Sequence, residues 1–178
     1  MRYAVNADGE TASLTYASND IVTARIPEKT TINGTEYTVT GISDYALYAH
    51  NKLATVIIPN SVTTIGYGAF SDCPNLSNVT LGNNVQTIGG NAFQFASISS
   101  IVIPNSVMTI GENAFNGCVN LESVSMSTTV SSIGNDAFHG CGKLASIDFP
   151  NSLTTLSQGI CNGCESLTKV TIPNSLTG

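Results

Sequence analysis

Charge is scarce in this chain. Only 10% of its 178 residues are Asp, Glu, Lys or Arg, far below the usual quarter. Six Lys and Arg stand against twelve Asp and Glu, for a net charge of −6. A protein that grips phosphates needs a basic face. Six scattered cations cannot build one, which excludes nucleic acid and anionic membrane as natural partners. Long apolar runs are also missing, so no membrane insertion is expected. The opening MRYAVNADGETASL has a single basic residue and no apolar stretch, and is not a secretory leader. The chain is therefore either intracellular or read without a leader that preceded it. Its five cysteines are an odd number and cannot all pair with one another. What fills the polar share instead is Ser, Thr, Asn and Gly, which suit strands and turns better than solvated helices.

What the chain does have is a repeat. LATVIIPNSVTTIGYGAFSDCPN at 53–75 is followed by copies starting at Leu76, Ile98, Leu121 and Leu144, and by a partial copy from Leu167. The step is 23 residues, except for one copy of 22 that loses a residue between Phe93 and Ile98. The fourth and sixth positions of each copy are apolar, as in Val56 and Ile58, or Ile101 and Ile103. Apolar residues two apart share one face of a strand. Pro or Gly then marks a turn at Pro59, Gly82, Pro104 and Pro150. Apolar residues return at the tenth and thirteenth positions, as in Val62 and Ile65, with Thr and Ser between them. That spacing predicts a second, short extended segment. The Ala-Phe pairs that follow, Ala69-Phe70 to Ala137-Phe138, are expected to pack inward through a compact turn or a single helical turn. One copy cannot bury its own apolar face, but stacked copies can. The predicted fold is mostly β: a solenoid of parallel strands spanning 41–178, its last copy incomplete. Residues 1–40 break the period. Asn33-Gly34 lies between alternating residues and Asp8-Gly9 between two others, so this part reads as a hairpin cap. The chain stops partway through a copy with no polar cap. It is expected to continue in the natural protein, or to make an end-to-end contact there.

Cys161-Asn162-Gly163-Cys164 has the spacing of a redox dithiol or half a zinc site. The columns suggest otherwise. Cys164 falls in the column of Cys73, Cys118 and Cys141, while Cys161 takes the slot held by Phe in the copies before it. A ladder of thiols at a strand pitch of roughly 4.8 Å does not form a tetrahedron. The expectation is buried, unbridged thiols, with a disulfide between neighbours among Cys118, Cys141 and Cys164 as the alternative, and with no metal and no cofactor. His50 takes the cysteine slot of the first copy and His139 follows Phe138; at four rungs, ~19 Å apart, they cannot act as a pair. Asp148 and Glu122 have no nucleophile or histidine placed beside them. Gly89-Gly90 lacks the Lys and the helix of a phosphate loop. No catalytic constellation remains, and the chain is not expected to be an enzyme.

The frame Ile58-Pro59-Asn60-Ser61, Val62, Ile65-Gly66, Ala69-Phe70 and Cys73 resembles the BspA-like, or Treponema pallidum type, leucine-rich repeats. The resemblance covers nearly the whole chain. It implies a leucine-rich-repeat solenoid and a surface protein of a host-associated microbe, often linked to adhesion, with no catalytic residues to carry over. An extracellular or cell-surface location follows from it, with the cytoplasm as the alternative. The candidate binding face is formed by the outward strand positions: Thr55, Ile57, Asn78, Thr80, Ser100, Val102, Ser123 and Ser125. Ile57 and Val102 put apolar groups where a strand in water would carry polar ones. Solenoids use such faces for macromolecules, so the expected partner is a protein or a glycan. A structural spacer with no ligand on this segment is the alternative.

Overall fold

The structure, a computed structural model, describes residues 1–177. Among them there are strands and turns and no helix. The chain opens with two antiparallel hairpins, both at the sites the sequence marks. β1 (Arg2–Val5) and β2 (Thr11–Tyr16) turn through Gly9, whose φ is 71°. Asp8 Oδ1 accepts the N–H groups of Glu10 and Thr11 there. β3 (Thr23–Arg25) comes next. β4 (Lys29–Ile32) and β5 (Thr35–Ile42) then turn through Asn33 and Gly34, at φ 50° and 84°. Two successive positive φ values match the right-handed twist of the flanking strands.

From there two sets of strands climb the stack. The first set is β6 (Thr55–Ile57), β8 (Asn78–Thr80), β10 (Ser100–Val102), β12 (Ser123–Ser125), β14 (Ser146–Asp148) and β15 (Lys169–Thr171). The second is β7 (Thr64–Ile65), β9 (Thr87–Ile88), β11 (Thr109–Ile110) and β13 (Ser132–Ile133). The second set is one unbroken parallel ladder in which Ile42, Ile65, Ile88, Ile110 and Ile133 stand in register. The hairpins join it, because β2 pairs in parallel with β5. β3 likewise supplies the first rung of the other set by pairing with β6. That other set is not continuous. It divides into β3-β6-β8, β10-β12 and β14-β15.

The Ala-Phe segment resolves as a turn. Its backbone alternates in hand: Gly68, Asn91, Asn113, Asp136 and Gly159 occupy one repeat position at φ 52–66°, and Tyr45 shares it at 55°. Four residues later Asp72, Phe95, Gly117, Gly140 and Gly163 repeat the pattern at φ 55–75°. The alternation aims successive N–H groups at the next copy. Gly68, Phe70 and Asp72 donate to the carbonyls of Gly90, Ala92 and Gln94 at 2.8–2.9 Å, and the same triplet recurs up the stack. A helix would have turned those donors back on its own chain. The turn instead satisfies them between copies.

The core is a set of columns. Phe70, Phe93, Phe115 and Phe138 are fully buried, with ring centroids 5.2, 5.5 and 5.3 Å apart and planes within 8° of parallel. Parallel rings at that separation are offset-stacked, a favoured geometry. Leu47 continues the column downward and Cys161 ends it above Phe138. Truncating an internal member leaves a cavity that its neighbours, fixed by their own rungs, cannot fill. Phe115→Ala is expected to lower stability by ~3–5 kcal/mol, read as a fall in the urea midpoint at constant slope. A loss below ~1 kcal/mol would show that the column is not what holds the copies together.

Candidate functional site

The sequence-derived face lies on the outer side of the first strand set. Asn78, Thr80, Ser100, Val102, Ser123 and Ser125 are exposed there, while Thr55 and Ile57 are half-buried. Ile57 stands in register between Arg25 and Thr80, and these flanking rungs cover part of it. Val102 is 67% exposed, the largest value among the apolar residues. It is the apolar centre of the face.

The face is open where β8 meets β10. These strands sit in different hydrogen-bonded sheets, as β12 and β14 do one opening further up, and at β8/β10 the break coincides with the 22-residue copy. Elsewhere a tight turn precedes the strand: Leu53, Leu76, Leu121, Leu144 and Leu167 each donate their N–H to the carbonyl three residues back, at 2.9–3.1 Å. Before β10 only Ser97 separates Ala96 from Ile98, where the copy before has Pro74-Asn75, and that turn is lost. β10 enters unpaired with β8. A groove of about 710 Å³ crosses the opening from β8 over β10 to β12. Val79, Leu81 and Met126 line its floor and are half-buried, whereas Val56, Ile58, Ile101 and Ile103 in the same columns are buried. Thr80, Ser100, Val102 and Ser125 from the expected face line it too. Asn83, Asn105 and Ser127 complete a rim with no charged side chain. Thr55, Ile57, Asn78 and Ser123 lie outside it. Reading alternate strand positions could not find the floor, because Val79 and Leu81 point inward.

The cysteines carry packing. Cys73, Cys118 and Cys141 are fully buried, and each donates its S–H to a carbonyl of the copy before: Leu47 at 3.1 Å, Phe93 at 3.1 Å and Phe115 at 3.3 Å. Burial pushes the Cys73 thiol up to about 11 and Cys141 up to about 12, and raises Cys118 well above the usual thiol range. Cys164 makes the same bond to Phe138 at 3.2 Å, yet it is only half-buried, as is Cys161. The neighbouring Cys164 thiol, with burial, raises the Cys161 thiol, and the Cys161 thiol beside it lowers Cys164. Among the described residues no three His, Cys, Asp or Glu side chains gather as a metal-ready group. His50 is 2% exposed, with its ring nitrogens 3.0 Å from the carbonyls of Tyr48 and Ala17, and it ties the hairpins to the first copy. His139 sits half-buried, 3.7 Å from Asp136. Glu122 and Asp148 are exposed.

The stacked core columns and the parallel ladders define a repeat solenoid. The family model for the BspA type leucine-rich repeat region, six copies long, matches residues 27–118 and again 87–178. The chain belongs to that family. It is similar to the T. pallidum leucine-rich repeat protein TpLRR, at 29% identity and a TM-score of 0.90, over 97% of this chain and 80% of that one. A leucine-rich repeat protein from Bacteroides capillosus is 36% identical, with a TM-score of 0.63, over 70% of this chain and 91% of that one. A leucine-rich cell surface protein from Faecalibacterium prausnitzii is 27% identical, with a TM-score of 0.67, over 94% of this chain and 52% of its own length. No curated protein matches the chain. No helix among the described residues is long and apolar enough to cross a membrane.

Two outcomes follow from this geometry. Replacing Ser97 with Pro-Asn restores the 23-residue step and should close the ladder between β8 and β10. Amide exchange at Leu81 and Val102 should then slow markedly; unchanged exchange would show that loop length does not set the opening. The second outcome concerns alkaline pH. A thiol raised in the folded state favours folding fully below its unfolded value near 8.5, and that contribution is lost as pH rises toward the folded value. With Cys73 at about 11 and Cys141 at about 12, stability should fall between about pH 9 and pH 12. The slope approaches ~1.4 kcal/mol per pH unit for each ionising thiol. A flat urea midpoint across that range would contradict the burial account.

Proposed function

We propose that the chain is a non-enzymatic binding module that recognises a protein or glycan partner through its strand face, as part of a surface adhesion protein. The observation that carries this reading is the groove across β8, β10 and β12, where exposed Val102 and the half-buried Val79, Leu81 and Met126 are ringed by Thr80, Ser100, Ser125 and Asn105. An apolar centre with a polar rim is the usual make-up of an interface. The absence of charge on the rim suits a neutral partner surface better than a phosphate or carboxylate. The family relation supports the binding role, and the naming of one relative as a cell surface protein supports an extracellular location.

Affinity of one such segment is modest, because arrays of this kind gain strength by repeating along a surface. The test is a screen of the purified chain against matrix proteins and glycans, followed by Val102→Asp. A charge placed in the apolar centre should weaken binding at least tenfold while the melting temperature stays within a few degrees, since the side chain points to solvent. Equal binding by Val102→Asp would move the site elsewhere. A screen with no partner would favour a structural spacer.

A further inference from the structure

The turns carry a second set of exposed rings. Tyr45, Tyr48 and Tyr67 are 55%, 48% and 37% exposed. Tyr45 meets Tyr48 edge-on at 5.8 Å and 90°, and Tyr67 at 5.5 Å and 65°. Edge contacts of this kind leave ring faces open to solvent. These rings belong to a different part of each copy from the strand-face groove, and none of them lines it.

Nothing in the fold asks for a tyrosine at 45. Its φ is 55°, at a repeat position where the other copies place Gly68, Asn91, Asn113, Asp136 and Gly159. Glycine, asparagine and aspartate adopt that left-handed backbone most readily, whereas a bulky ring there is an outlier. Strain kept where an easier residue would serve points to use of the side chain. The ring also depends on Gly68. A Cβ at that position would come within 2.7 Å of Tyr45 Cε1 and push the ring away.

The surroundings carry charge of one sign. Across the Ala-Phe turns of the copies stand Asp44, Asp72, Glu112 and Asp136 with no Lys or Arg, while Lys52 and Lys143 lie in the tight turns that follow. Asp44 is held against the cluster, its Oδ1 accepting the Tyr67 N–H at 2.7 Å. The bases lie elsewhere, and two of them are already paired, Lys29 with Glu36 and Lys52 with Asp20. The face of an aromatic ring attracts a cation within about 6 Å. The chain makes such a contact within itself, with the Arg2 guanidinium 5.3 Å from the centre of the Tyr16 ring. A carboxylate beside open rings strengthens that preference, and a net charge of −6 draws a basic partner in.

We propose that Tyr45, Tyr48 and Tyr67, with Asp44 beside them, form a second docking surface that takes Arg or Lys side chains from a basic protein segment. An anionic ligand would be repelled there. A neutral glycan would stack on the rings but gain nothing from the carboxylates.

The experiment titrates the whole chain with a 12-residue peptide of alternating Arg and Gly, followed by calorimetry and by the ring resonances of labelled tyrosine. Controls are the same peptide with citrulline for Arg, and maltohexaose. The Arg peptide should shift Tyr45, Tyr48 and Tyr67 and leave Tyr3 and Tyr37 in place. Citrulline should weaken it, and so should raising salt from 50 to 500 mM. Tyr45→Asn should reduce affinity two- to fivefold, and Tyr45→Asn with Tyr67→Asn roughly tenfold. Both variants should stay folded, because Asn113 and Asn135, in two later copies, occupy these two positions. Val102→Asp should leave this titration unchanged. Equal binding by the citrulline peptide or by the double variant would overturn the proposal. So would ring shifts produced by maltohexaose and not by the Arg peptide, which would assign the surface to a neutral glycan. Loss of Arg-peptide binding in Val102→Asp would show that there are not two separate surfaces.

Discussion

Every copy must offer its backbone polar groups at the height where the next copy needs them. This constraint governs the whole molecule, because a solenoid has no other way to satisfy them. Strands β7, β9, β11 and β13 meet it with a continuous parallel ladder. The turns meet it with three donors per copy, made possible by left-handed residues at two fixed positions. The stacked phenylalanines and the thiols donating to carbonyls one copy back lie along the same axis. A buried backbone group left unmade costs more than a made one contributes, so the period is enforced by penalty as much as by attraction. The constancy of the Ile-Gly and Ala-Phe positions follows from that. Their residues are read by neighbours on both sides, whereas the outward strand positions are read by water.

Most of this architecture was legible in the sequence because period and polarity are linear properties. The columns through Val56, Ile58, Val62 and Ile65 gave the inward faces, and Asn33-Gly34 and Asp8-Gly9 marked hairpins that the structure contains. The identity of Cys161 as a substituted column residue was also visible, since its counterparts are Phe. Two features were not. The left-handed hand of the turns is shared by residues as unlike as Gly68, Asn91 and Phe95, so no single residue type announces it. It shows only once the donors are seen to point between copies. The incomplete burial of Cys164 was also hidden, because a column position does not say how much chain lies on each side of it.

The candidate face was legible in part for a similar reason. Outward positions follow from alternation, so Thr80, Ser100, Val102 and Ser125 could be named. Exposure is a different property, set by how closely neighbouring rungs approach. Ile57 and Val102 occupy the same repeat position, yet one is half-covered and the other stands free. The difference lies in pairing: Ile57 has a bonded neighbour on each side, while β10 has one only toward β12.

One ladder can open locally because contacts in a stack are made only between neighbours. β10 is unpaired with β8, while Ile88 and Ile110 keep their register in the other ladder. The Phe93 and Phe115 rings stay stacked at 5.5 Å. The second ladder and the aromatic column therefore hold the copies together while the first ladder opens. A globular core would spread the same change through many contacts and lose stability throughout. Here the opening exposes Val79 and Leu81 to a groove, and a second break between β12 and β14 leaves Val124 and Met126 half-buried in the same way. The redundancy of a repeat, with several parallel sets of bonds between each pair of copies, is what lets one set be given up to form a site.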